Sequence, residues 1–432
     1  MIFDAAEQSR VRGQQFIVGV ARWFLLLVLD HHASLRCAAG VLESLGAAAG
    51  DDTMAPDGST GRLWLLRVGL WALLRPKAIA DGDWVWLVDH SIQIGQRKCL
   101  VVLGVRLSTL PTGRPLCHED MELIALVPMT HSNKESVAVC LNAAAVQTGV
   151  PRAILDDHGA DLHGGVELFR DAHPETDEVY DIKHKAACLL KARLESDEHW
   201  KSYTHQLGQA KFAMQQTEMA FLVPPSQRTK SRFMNLAGLV SWGQSLLALV
   251  DNPTRLEESG VSKERVEAKL GWLAEFRGPL ALWSAYHEQI GATLEFVRVH
   301  GLYVGAGVKL AAALPSASGE AGALREELID FVTRESSKAR IGEYLPGSTE
   351  VLESCFGKLK ALESDQSKSG FTGLVLSLGA MVSKRTAETI HEALERCKVR
   401  DVTAWCSRML GQSIQSQRKQ AFHALEGATK PG

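Results

Sequence analysis

Three acidic residues stand where a carboxylate needs a reason. Asp89 follows the apolar run Trp84-Val85-Trp86-Leu87-Val88, Asp157 follows Ala153-Ile154-Leu155-Asp156, and Glu353 lies in Glu350-Val351-Leu352-Glu353-Ser354. A carboxylate carried into apolar surroundings must find donors, a proton or a cation, because desolvation disfavours its charge. Each has a plain role when taken singly: Asp89 could cap a turn, Asp157 could serve a loop, and Glu353 could be a solvated helix glutamate. Converging at one sheet edge, three carboxylates would repel one another unless divalent cations neutralised them. Oxygen-only ligands favour Mg²⁺ or Mn²⁺ over zinc. Two such ions, about 3.5–4 Å apart, can activate a nucleophilic oxygen and stabilise the leaving oxygen of a phosphodiester. Lys358 and Lys360 follow Glu353 closely enough to reach phosphates.

The elements around these acids change period along the chain. Residues 1–80 read as helical, with Leu35, Ala38, Val41, Leu42 and Leu45 at helical spacing. Ser59 or Thr60 caps a helix to Leu74, ahead of Pro76. Helix, turn and capped helix predict either a helix-turn-helix, with Ser59, Thr60, Arg62 and Arg67 toward DNA, or a hairpin packing Trp64, Leu65, Val68 and Trp71 into a core. The connecting loop exceeds the 3–4 residues usual for the first.

Strands are predicted at Trp84–Val88, Lys98–Leu107 and Leu123–Met129, then at Ala153–Leu155 and Glu178–Ile182, with helices at Asn133–Thr148, Ala160–Arg170 and from His184. That order predicts a mixed α/β sheet of ribonuclease H arrangement over residues 81–200. Residues 201–345 return to helix and read as an insertion. Residues 346–380 then carry the final core helix and third acid, and residues 381–432 form a basic helical C-terminal region.

Composition narrows the function classes. Of 432 residues, 46% are hydrophobic and 22% charged, the balance of a globular protein of two or three domains. The formal net charge of −3 leaves no global basic field, so any nucleic-acid surface must be local. One candidate is 183–235, with nine Lys or Arg, among them Arg228, Lys230 and Arg232, against four acids. An ordinary solvated helix face is the other reading. His184 could act as a general base or be a packed, hydrogen-bonded histidine. The eight cysteines are scattered without a CxxC pair, which argues against a zinc ribbon and fits a reducing cytoplasm. Phe16–Leu29 contains Arg22 and is shorter than the about 20 apolar residues of a membrane span.

Three blocks carry a resemblance: WLVDHSIQIGQRKCLVVLGV around Asp89, ILDDHGADLHGGVELF around Asp157 and STEVLESCFGKLK around Glu353. In that order they resemble a bacterial insertion-sequence transposase of the DDE class, over roughly residues 35–380. YDIKHKAACLLK and PPSQRTKSRFMN resemble other blocks of such proteins more loosely. The resemblance implies a ribonuclease H-like core in which the acids hold two Mg²⁺ or Mn²⁺ ions. It also implies cutting of transposon ends and joining of the 3′ hydroxyl to target DNA. Double-stranded DNA would be the partner, the protein a homo-oligomer on it, and the location the bacterial cytoplasm and nucleoid. Carried over residue by residue, Asp89 matches the first acid and Glu353 the glutamate before Ser-x-Phe-x-x-x-Lys. Asp157 is preferred to Asp156 because the family's second acid precedes a residue and then glycine, with Glu350 as fallback for the third. The long separation of Asp157 and Glu353 departs from compact members and matches those with a large insertion. A metal-dependent nuclease without strand joining, or a DNA-binding protein whose acids no longer catalyse, are the alternatives.

Overall fold

The computed structural model describes residues 3–50, 55–94, 97–227, 236–252, 258, 260–364, 372–411, 418–420 and 422. The chain divides into two compact units, Met1–Val179 with Ser348–Gly432, and Tyr180–Gly347. The helical unit therefore begins at Tyr180 and takes in the helix beginning at Ile182, rather than starting near residue 201.

The first unit starts with α1 (Val18–Leu29), α2 (Leu35–Ala49) and α3 (Gly58–Leu74). The apolar run before Asp30 becomes α1, buried through Phe24, Leu25, Val28 and Leu29. Helix α2 buries only a stripe of Ala38, Leu42 and Gly46. Asp57, rather than Ser59 or Thr60, caps α3: its Oδ1 accepts the N–H groups of Ser59 at 2.6 Å and Thr60 at 3.1 Å. Helix α3 is buried on all sides from Trp64 to Ala72. A Cβ on Gly69 would lie 1.8 Å from the carbonyl oxygen of Leu376, so backbone touches backbone there. A helix enclosed this way cannot enter a DNA groove, and the helix-turn-helix expectation is corrected: the Trp64, Leu65, Val68 and Trp71 face is core.

Strands β1 (Trp84–Ile94), β2 (Arg97–Arg106), β3 (Glu122–Met129), β4 (Ala153–Asp156) and β5 (Asp177–Tyr180) form one sheet in the order β3-β2-β1-β4-β5. The β1–β2 and β2–β3 pairs are antiparallel, and β1–β4 is parallel. Strand side chains alternate between faces. Trp84, Trp86, Val88 and Ile154 point to one face, where they pack with Val137 and Leu141 of α4 (Lys134–Thr148) and with Leu162, Val166 and Phe169 of α5 (Ala160–Ala172). Burying one such side chain contributes about 1.5–3 kcal/mol. Asn133 caps α4, accepting the Ser136 N–H at 2.8 Å.

The second unit comprises α6 (Ile182–Leu194), α7 (Glu198–Met214), α8 (Leu236–Val250), α9 (Lys263–Leu270), α10 (Arg277–His300), α11 (Ala306–Ala313) and α12 (Gly319–Ser336) among the described residues. Trp200 and Trp283 meet edge to face with centroids 5.0 Å apart, and Tyr203 joins them, donating its hydroxyl to the Leu239 carbonyl at 2.6 Å. The chain enters and leaves this unit side by side, since the Ile182 N–H donates to the Gly347 carbonyl at 3.1 Å.

Returning to the first unit, the chain forms α13 (Glu350–Ser364), α14 (Ser377–Val382), α15 (Ala387–Arg396) and α16 (Val399–Met409). Helix α13 packs against β1, and α3 and α14 against β3. None of the three contributes to the α4–α5 cluster, so they cover the opposite sheet face, the face of Val85 and Leu87.

Candidate active site

The pairing of β1 with β4 decides which acids can meet. Val85 aligns with Ala153, Trp86 with Ile154 and Leu87 with Leu155. Asp157 follows the end of β4; the register, if continued two residues past its last pair, would set it level with Asp89, whose strand parity is that of Val85 and Leu87. Asp156 follows Ile154 to the other face, where it is fully buried. Asp89 and Asp157 are half-buried; β1 runs on past the expected Val88 to Ile94, so Asp89 lies within the strand rather than at its end, and Asp157 directly follows β4. Asp89 Oδ1 accepts the His90 N–H at 2.6 Å and Asp157 Oδ1 accepts the Gly159 N–H at 2.9 Å, which fixes each carboxylate against its own backbone.

Glu350 and Glu353 occupy the first turn of α13. Leu352, Cys355, Phe356 and Leu359 form its buried face; Glu353 is exposed and Glu350 half-buried. His118 lies next to this turn, its Nε2 3.2 Å from Ser354 Oγ. Burial, with Lys358 and Arg385 nearby, pushes the His118 imidazole down to about 4. No pattern in the sequence singled out His118, because its neighbours come from α13 and from the segment after α14. The donor set of Asp89, Asp157 and Glu353 is carboxylate oxygen throughout, which fits Mg²⁺ or Mn²⁺.

The residues expected to contact DNA divide sharply. Arg67 is 2% exposed; it donates to the Cys397 carbonyl at 2.7 Å, to the Leu394 carbonyl and to Gln14 Oε1. Its guanidinium ties α3 to the end of α15 and is not available to phosphate. Arg62 is half-buried beside Cys406 of α16. Ser59 is exposed and Thr60 partly so, with both N–H groups engaged by Asp57. Lys358 donates to the Leu29 carbonyl at 2.8 Å and so anchors α13 to α1, whereas Lys360 is exposed. Arg228, Lys230 and Arg232 lie outside the described residues. In the second unit His184 is exposed, its ring 5.9 Å from Tyr180, so it is not a core histidine. Arg193 and Lys201 of the basic stretch are paired with Glu327 and Glu198, both at 2.8 Å.

No family model and no curated protein matches the chain. Among solved structures, the Drosophila P element transposase strand transfer complex aligns with 90% of this chain and 93% of its own, at 9% identity and a TM-score of 0.38. A likeness that slight assigns neither fold nor activity. No helix among the described residues is long and apolar enough to cross a membrane.

Proposed function

We propose that the chain is a DNA transposase of the DDE class, with a ribonuclease H-like core holding Asp89, Asp157 and Glu353 as its acids. The observation that supports this reading is the β1–β4 register, which, continued two residues past its last pair, would bring Asp89 level with Asp157, together with the packing of α13, the helix of Glu353, against β1. The strand order β3-β2-β1-β4-β5 and a helical unit inserted between β5 and α13 support the ribonuclease H-like, large-insertion version. The three carboxylates would hold two Mg²⁺ or Mn²⁺ ions, which supply Lewis acidity to the attacking and leaving oxygens. The protein's own part is to hold Asp89 and Asp157 rigidly through their backbone hydrogen bonds and to present Glu353 from a helix anchored by Lys358. Exposed Lys360 would meet the phosphate backbone, and Arg228, Lys230 and Arg232 are further candidates for it. Double-stranded DNA would be the partner, and a homo-oligomer assembled on it in the bacterial nucleoid the working form.

The test incubates the full chain with the DNA flanking its gene and Mg²⁺ or Mn²⁺. End cleavage followed by joining of the 3′ hydroxyl to a second duplex is the expected result. Cleavage without joining would leave a nuclease, and binding with no metal-dependent cut a DNA-binding protein. Cleavage surviving in Asp89→Asn would remove the assignment of the acids.

A further inference from the structure

The other sheet face holds a second cluster that none of the chemistry above uses. We propose that His158, His163 and Glu178 form a site for a single first-row divalent cation, Zn²⁺ foremost, distinct from the site at Asp89, Asp157 and Glu353. One ligand atom from each of the three lies within 4.8 Å of the others. Around a tetrahedral zinc with bonds of about 2.0–2.2 Å, ligand atoms sit roughly 3.3–3.5 Å apart. His158 Nε2 is 3.4 Å from Glu178 Oε1, already at that separation. His163 Nδ1 is 2.6 Å from the same oxygen, a hydrogen-bonding distance that opens by less than about 1 Å when a cation replaces the proton.

Local structure aims the three groups. The turn after β4 puts His158 at φ 55°, a conformation a non-glycine residue seldom adopts, and stacks its ring on His163 with centroids 4.5 Å apart. His163 rises from the first turn of α5, and Glu178 comes from the adjoining strand β5. On its far side His163 Nε2 is 3.6 Å from Glu167 Oε1.

A second acid lies against this cluster. Asp156 is fully buried, and the group it faces is the Glu178 carboxylate, itself 6% exposed. Arg170 lies 3.7 Å from Glu178 Oε2. Two carboxylates face each other stably only when they share a proton or a positive ion. Two imidazoles and a carboxylate suit zinc and its first-row neighbours better than Mg²⁺. Bound there, the ion would tie the β4–α5 turn, which contains Asp157, to β5.

The test is zinc titration of the chelator-treated full chain, by calorimetry and by competition with a chromophoric chelator, alongside His158→Ala and His163→Ala. These positions are partly exposed, so the variants should fold, and circular dichroism checks that they do. Wild type should bind one more equivalent than either variant, or bind it at least 100-fold more tightly, and Zn²⁺ should raise the melting temperature of wild type alone. Asp89→Asn should bind Zn²⁺ as wild type does, which separates this site from the proposed catalytic one. Equal stoichiometry and affinity in wild type and both folded histidine variants would overturn the proposal and leave a proton-held network.

Discussion

The two faces of the sheet at the end of β4 make opposite use of neighbouring aspartates. Asp157, proposed to act with Asp89 toward the face of α13, is half-buried, its Oδ1 accepting the Gly159 N–H. Asp156 goes to the face of α4 and α5, wholly buried, against Glu178 and with its Oδ1 accepting the His158 N–H. In the proposed reading two adjacent residues of one type thus enter different chemistries, oxygen ligands on one side and imidazole with carboxylate on the other. The cause is the strand's two-residue period, which sends consecutive side chains to opposite faces. Adjacency in sequence is therefore poor evidence of a shared role in a strand.

The comparison breaks most visibly in catalysis. Asp89→Asn and Asp157→Asn should each lower Mg²⁺-dependent DNA cleavage by about 10³-fold or more in a single-turnover assay, since removing one member of a catalytic unit costs nearly as much as removing it all. Asp156→Asn should cost far less; a loss equal to that of Asp157→Asn would place the second acid on the wrong face.

Stability tests come next in size. On the Asp89 side, α3 lies against the Leu376 backbone, and Gly69→Ala should destabilise the chain by about 2–3 kcal/mol in urea unfolding, because overpacking at backbone contact cannot relax through a rotamer. On the other side, burial and the Glu178 charge raise the Asp156 carboxyl well above the usual range. A group with a raised folded-state value costs stability as pH rises above the ordinary carboxyl range. Asp156→Asn should therefore stabilise the metal-free chain near neutral pH, by about 1–2 kcal/mol. The half-buried Asp157, changed in the same way, should shift urea stability by less than about 0.5 kcal/mol.

The smallest effect is in acid. His118, held near 4 against an ordinary value of 6.5, favours the neutral form when folded. The unfolded chain takes up that proton first, so the stability His118 confers is whole above pH 6.5 and drains away as pH falls toward about 4. His118→Asn should flatten that part of the pH–melting-temperature curve, and an unchanged slope would show that the imidazole is not desolvated.

Much of the strand and helix pattern was legible because it depends on short apolar runs. The strands expected at Lys98–Leu107 and Leu123–Met129 emerge as Arg97–Arg106 and Glu122–Met129, and the helix expected at Asn133–Thr148 as Lys134–Thr148 with Asn133 as its cap. The site was less legible. Arg67 reads as a cation on a helix, and only packing reveals it spanning from α3 to the carbonyls of Leu394 and Cys397. The two histidines of Asp157-His158-Gly159-Ala160-Asp161-Leu162-His163 were visible, but Glu178 joins them only when β5 lies beside β4.

By itself the sequence determined the local periods, the carboxylates that follow the apolar runs of β1 and β4, and the long helical stretch before α13, because these depend on residues near in the chain. The tertiary structure alone decided register, and with it which aspartate faces which side. It also decided that α3 is core rather than a reading helix, since burial is set by elements hundreds of residues apart packing together.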